Sequence, residues 1–173
     1  MKKIIVLGSL AILTLSGCGS MATFKNQSDA QKPTVLKEFN GKYAVVGFRG
    51  VNASKVKEIE LSISSENKGT ASVYAENGKK LFTSTLYNCD IANQAQAENT
   101  GKPVESIENI VRCDVASSDY KYAQLYVARV KGDYVIKDQA MISTYEPMKI
   151  TGGHLIEIKL SPGTGILVNA SKN

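Results

Sequence analysis

The chain has 173 residues, 43% of them hydrophobic and 21% charged, with a formal net charge of +5. That is one domain's worth of chain, enough to bury a core without metals. The charges are spread rather than blocked, which reads as a solvated surface and argues against nucleic acid as a partner.

Lys2 and Lys3 form a short cationic start, Ile4 to Leu15 is an apolar run, and small residues then precede a lone cysteine at Leu15-Ser16-Gly17-Cys18. This is the three-part plan of a secretory signal, and the run is short for a membrane-spanning helix, which needs roughly 20 apolar residues. The ending resembles the lipobox of bacterial lipoproteins. The resemblance implies cleavage before Cys18, a lipid (palmitate-type acyl chains) on its sulfur and new amino group, and a membrane partner reached through that anchor. Gly19 rather than Asp follows the cysteine, which by the sorting rule of enterobacterial lipoproteins implies the outer membrane of the cell envelope. Several acyl chains on one residue anchor stably, since each buried CH₂ contributes about 0.8 kcal/mol. Removing residues 1–17 leaves 156 residues with 19 Lys and Arg against 16 Asp and Glu, a net charge of +3. Much of the basic character therefore belongs to the signal.

Residues 18–38 are polar and hold Pro33. They read as the lipidated N-terminus and a flexible tether. A β-domain is expected over 39–173. It opens at Phe39 to Phe48, apolar, aromatic and β-branched as a strand should be. Gly41 and Tyr43 there resemble the Gly-x-aromatic start of lipocalin-like barrels, with Tyr in place of the usual Trp; the chain has no Trp.

The following segments alternate. Ile59, Leu61 and Ile63 face one way and Glu58 and Glu60 the other, so the paired carboxylates read as a solvated outer face. Ala71 and Val73 alternate with Ser72 and Tyr74. Asn77-Gly78 then predicts a hairpin with a type I′ turn. The strand Lys80 to Ile91 places Leu81, Tyr87, Cys89 and Ile91 on one face, and 92–104 is a long polar loop. Ile107, Val111, Cys113 and Val115 share a face in the next strand. An antiparallel hairpin centred near Gly101 pairs Cys89 with Cys113, Ile91 with Val111 and Tyr87 with Val115. A facing pair sits roughly 4.5–5.5 Å apart at Cα, within disulfide range, and an oxidising compartment favours the bond. Closing that loop stabilises by about 3 kcal/mol in the entropy picture. Further strands are expected at Lys121–Val130, Tyr134–Asp138, Ala140–Tyr145, His154–Leu160 and Ile166–Asn169. About eight or nine short strands with one disulfide predict an all-β fold, a single antiparallel up-and-down barrel ahead of a β-sandwich.

No constellation for catalysis is legible. His154 is the only histidine and reads as a turn residue after Gly152-Gly153. The Ser-x-x-Lys matches at Ser65–Lys68 and Ser118–Lys121 lie in polar, turn-like segments rather than on helices. Two cysteines and one histidine do not make a closed metal site. Neither enzyme activity, metal nor cofactor is expected. Tyr122 and Tyr126 lie opposite Leu125 and Val127, so if the Leu125 face is core they form an exposed recognition surface. The expected function is a non-enzymatic binding domain on an outer-membrane anchor. It takes an apolar small ligand in the barrel mouth or a protein partner, in the manner of an inhibitor or adhesin. The alternative is a structural or assembly component of an envelope complex.

Overall fold

The computed structural model describes residues 24–50, 55–98, 104–118, 123–132, 134–136, 147–161 and 164–173. The expected signal, Cys18, Tyr122 and the strand expected over 140–145 lie outside the described residues. Eight antiparallel strands close a barrel: β1 (Gly41–Arg49), β2 (Glu58–Ile63), β3 (Gly69–Tyr74), β4 (Lys80–Ile91), β5 (Ile107–Val115), β6 (Gln124–Val130), β9 (Gly153–Ser161) and β10 (Thr164–Lys172). Neighbours in sequence are neighbours in the wall, and β10 pairs with β1 to close it. Between β6 and β9 the chain leaves the wall to form a separate two-stranded sheet, β7 (Tyr134–Ile136) with β8 (Met148–Ile150). The up-and-down barrel is the expected fold. β8 extends the expected strand set, because three residues are too few to carry a period.

The alternation sets the interior. Ile59, Leu61, Leu86, Ile91, Val111, Cys113, Leu125, Val127, Ile156 and Val168 converge inside with almost no exposure. A second apolar cluster lies outside the wall. Ile110, Ala128 and Leu155, on the outer face of β5, β6 and β9, are covered by Phe24, by Tyr134 and Ile150 of the β7–β8 hairpin, and by Ala97. Ala97 belongs to a short helix, α2 (Gln94–Glu98), within the segment expected to be loop. Asn169 ties the hairpin to the wall. Its side-chain oxygen accepts from the Thr151 and Gly152 amides at 3.1 and 2.9 Å, and its nitrogen donates to the Lys149 carbonyl at 3.1 Å. Gly152 is needed there, since a Cβ would run into the Ala170 carbonyl.

The span expected to be a tether is, from Phe24 onward, part of the domain. α1 (Lys32–Glu38) forms despite Pro33, because proline in the first turn gives up only an amide that has no intrahelical partner there. The helix closes one end of the barrel with Leu36 and Phe39, 1% and 0% exposed. Asn40 then mimics a neighbouring strand, accepting from the Ile63 amide at 2.6 Å and donating to the Ile63 carbonyl at 2.9 Å. The Tyr43 hydroxyl donates to the Phe39 carbonyl at 2.6 Å, and burial pushes that hydroxyl's pKa up.

Two local expectations are corrected. At the β3–β4 turn Gly78 has φ +74°, but Asn77 does not share a positive φ, so the turn is not type I′. The Ala75 amide instead reaches the Lys79 carbonyl across a longer loop. In β4, Leu86 faces Val115 and Tyr87 faces Asp114, while Ile91 faces Val111 as expected. One extra residue in β4 changes the parity there. Leu81 and Tyr87, expected on the core face, are 40% and 39% exposed as a result.

Candidate functional site

That bulge shapes a ridge on the outer surface with a cleft on either side. Asn88 sits at its centre with φ +50°, a left-handed conformation that Asn tolerates better than most residues. The Cys89 amide, displaced from the ladder, donates instead to the Asn67 carbonyl at 2.9 Å, and Asn67, in the β2–β3 turn, has φ +60°. The Cys89–Cys113 disulfide fixes the bulge from inside, with Cα atoms 4.1 Å apart. Bulges re-aim side chains, and left-handed non-glycine residues concentrate at functional sites.

Outward from the bulge, Asn88 donates to the Asp114 carboxylate at 2.9 Å. Arg112 reaches the same carboxylate at 3.3 Å. Burial raises the Asp114 pKa, but the hydrogen bonds from Asn88 and Gln124 and the Arg112 guanidinium outweigh it and hold the pKa below the usual value. The Tyr126 hydroxyl donates to the Gln124 side-chain oxygen at 2.7 Å, and the Gln124 amide nitrogen donates to the Asp114 carboxylate at 3.3 Å. Lys159 lies over the Tyr126 ring, 4.9 Å from its centroid. Burial, opposed by Arg112 and helped by Glu157 and Asp114, pushes the Tyr126 hydroxyl's pKa up. Tyr126 is therefore one wall of a networked face rather than a freely exposed ring.

Two clefts flank the ridge from Asn88 to Asp90. One, of about 280 Å³, runs between the ridge, Gln96, Arg112 and Tyr126. The other, of about 470 Å³, lies between the ridge, Asn67 and α1, where Lys32 bridges Asp29 at 3.2 Å and Asp90 at 3.4 Å. The arrangement offers amide, carboxylate, guanidinium and aromatic groups in fixed positions. It is suited to recognition.

Of the sequence-predicted residues, Cys89 and Cys113 are bonded and Tyr126 faces outward on the far side of the wall from Leu125 and Val127. Tyr134, the first residue of β7, is buried against the outer face of the wall, in the cluster that Tyr126 also packs on. Glu58 and Glu60 lie on the outer face, Glu58 paired with Lys42 at 3.1 Å and Glu60 accepting from the Tyr74 hydroxyl at 2.6 Å. Ser65 and Lys68 sit in the β2–β3 turn, without a helix.

His154 lies in the strand expected to begin there, as the second residue of β9 rather than in the turn before it, and packs edge-on against Tyr43 inside the α1 end, ring centroids 5.2 Å apart. Its buried Nδ1 has no hydrogen-bond partner among the described residues. Burial lowers the His154 pKa; nearby Arg129 and Lys172 add to that, and the Gly152 backbone works the other way. Sequence reading missed Asn88. Its signal was an Asn beside the cysteine of a strand whose two halves point Leu86 and Cys89 the same way.

No family of related sequences, no curated protein and no solved structure matches this chain.

Proposed function

We propose that the chain is an outer-membrane lipoprotein, anchored through Cys18, whose β-domain binds a protein partner through the Asn88–Tyr126 face and carries out no catalysis. The observation that carries the binding mode is the filled interior. A barrel built to hold an apolar ligand keeps room in its mouth or lumen. Here the lumen is occupied by side chains from Tyr43 to Val168, and α1 closes one end. The relief, the fixed polar groups and the half-exposed tyrosine are all on the outside, as a protein-recognition face requires.

The anchor rests on the Leu15-Ser16-Gly17-Cys18 pattern. Phe24, already packed on the barrel wall, follows Cys18 by six residues, so a lipid on that sulfur holds the α1 end within about 20 Å of the bilayer. Labelled palmitate is expected to enter the full-length protein in a Gram-negative host and to be lost in Cys18→Ala. Native mass spectrometry of residues 19–173 is expected to give the bare oxidised chain. Extra mass that leaves on unfolding would identify a ligand-binding barrel and overturn the binding mode; label retained in Cys18→Ala would overturn the anchor.

A further inference from the structure

Four lysines from two separate segments lie at the barrel end opposite α1, on either side of the end of β3. Lys55 and Lys57 precede β2, while Lys79 and Lys80 end the β3–β4 turn and open β4. The ladder brings them together: the Lys57 amide donates to the Tyr74 carbonyl at 2.9 Å, and Tyr74 faces Lys80 across the hairpin. A groove of about 470 Å³ runs among Lys55, Lys57, Glu76 and Leu81.

All four lysines are exposed, and none forms a salt bridge among the described residues. The nearby carboxylates are accounted for. Lys42 holds Glu58, the Tyr74 hydroxyl donates to Glu60, and Glu76 is left at the groove. Beside the lysines, Leu81 and Phe82 are 40% and 51% exposed. A register shift between Phe82 and Lys80 leaves Leu81 without a facing residue, so apolar surface lies beside the cations at the start of β4.

We propose that this hairpin, with Lys55 and Lys57 beside it, is a docking surface for an anionic phospholipid bilayer. The lysines would meet headgroup phosphates and the tips of Leu81 and Phe82 the acyl boundary. The composition favours lipid over protein, since protein interfaces are enriched in Arg, Tyr and Trp and depleted in Lys. This patch holds four Lys and no Arg. Long lysine stems pack along apolar surface while the ammonium stays with the phosphates. The inference stands apart from the Cys18 anchor, because Phe24 enters at the other end, against the start of β5, so the lysine surface faces away from the bilayer that would hold Cys18 and would meet a second one.

The test uses residues 19–173, which hold every contact described above and lack the signal and Cys18. The protein is floated with vesicles of phosphatidylcholine alone, and with vesicles of equal parts phosphatidylcholine and phosphatidylglycerol. Binding is expected to the mixed vesicles only and to fall as salt screens the charges. Each of K55Q, K57Q, K79Q and K80Q should lower partitioning by about fivefold, and Glu76→Gln should raise it. Leu81→Ser with Phe82→Ser should weaken binding while leaving its salt dependence in place. Unfolding curves confirm that each variant is folded. Absence of binding to the mixed vesicles, or equal binding by the quadruple lysine variant, would overturn the proposal. So would charge-dependent binding to soluble polyglutamate without vesicle binding, which would assign the patch to an acidic protein instead.

Discussion

The two ends of the barrel are finished in opposite ways. At the α1 end, Leu36 and Phe39 fill the opening, and the charged groups above them are paired: Arg129 with Glu38 at 3.4 Å, and Lys172 with the Glu38 carbonyl. At the other end Phe48 and Phe82 are 42% and 51% exposed, and the lysines of the β3–β4 hairpin have no ion-pair partner among the described residues. One end spends its apolar surface on the fold and the other leaves it available. Stability and contact are thus separated along one axis. Burial decides which is which, because a side chain already removed from water has little left to gain from a partner.

The largest test of that contrast is a pair of truncations of the same residue type. Phe39→Ala empties a fully enclosed site and is expected to cost about 3–5 kcal/mol. Phe82→Ala removes a ring that is half in water, and its cost should stay within about 0.5 kcal/mol. Denaturant unfolding of both variants decides it; comparable losses would mean that the open end is also closed in solution.

A smaller effect distinguishes the ends by pH. His154 is held below its ordinary value of 6.5, so on acidification the unfolded chain takes up its proton first. The native state therefore loses stability as pH falls from 6.5 through the lowered folded value, and it is unaffected above that window. Protonation would place a cation beside Arg129 and Lys172, with Glu38 the carboxylate bridging from α1 and Glu108, 4.0 Å from Arg129, behind it. The melting temperature should drop between about pH 7 and pH 5, and His154→Gln should flatten that drop. An unchanged pH dependence in the variant would assign the acid sensitivity elsewhere.

The wall of the barrel was legible because half-buried strands repeat with period two. Ile59-Leu61-Ile63 and Ile156-Ile158 announce their faces, and the even pair Cys89 and Cys113 suggests the bond. Three features were hidden for definite reasons. Pro33 looks like a helix breaker until its place in the first turn is known, so the sequence of α1 reads as tether. The bulge at Asn88 inserts one residue into β4, and a period-two count carried across it puts Leu81 and Tyr87 on the wrong face. The lysine patch is invisible to any search for charge runs, because Lys55 and Lys80 become neighbours only through the β2–β3–β4 ladder. The candidate recognition face was half legible. Tyr126 could be placed by alternation, whereas Asn88, Arg112 and Asp114 needed the actual register.

Amide hydrogen exchange of residues 19–173 tests the central claim, that the segment from Phe24 to Phe39 is the closing piece of the domain. The Val35, Phe39 and Asn40 amides, bonded at 3.1, 3.1 and 3.0 Å to Gln31, Leu36 and Lys37 carbonyls, are expected to be protected nearly as strongly as Val127 and Ile156 in the wall. The amides at the start of β4, near Lys80 and Phe82, should exchange faster. Exchange of the Val35, Phe39 and Asn40 amides at the rate of an unstructured peptide, with the wall still protected, would show a tether after all and contradict the account.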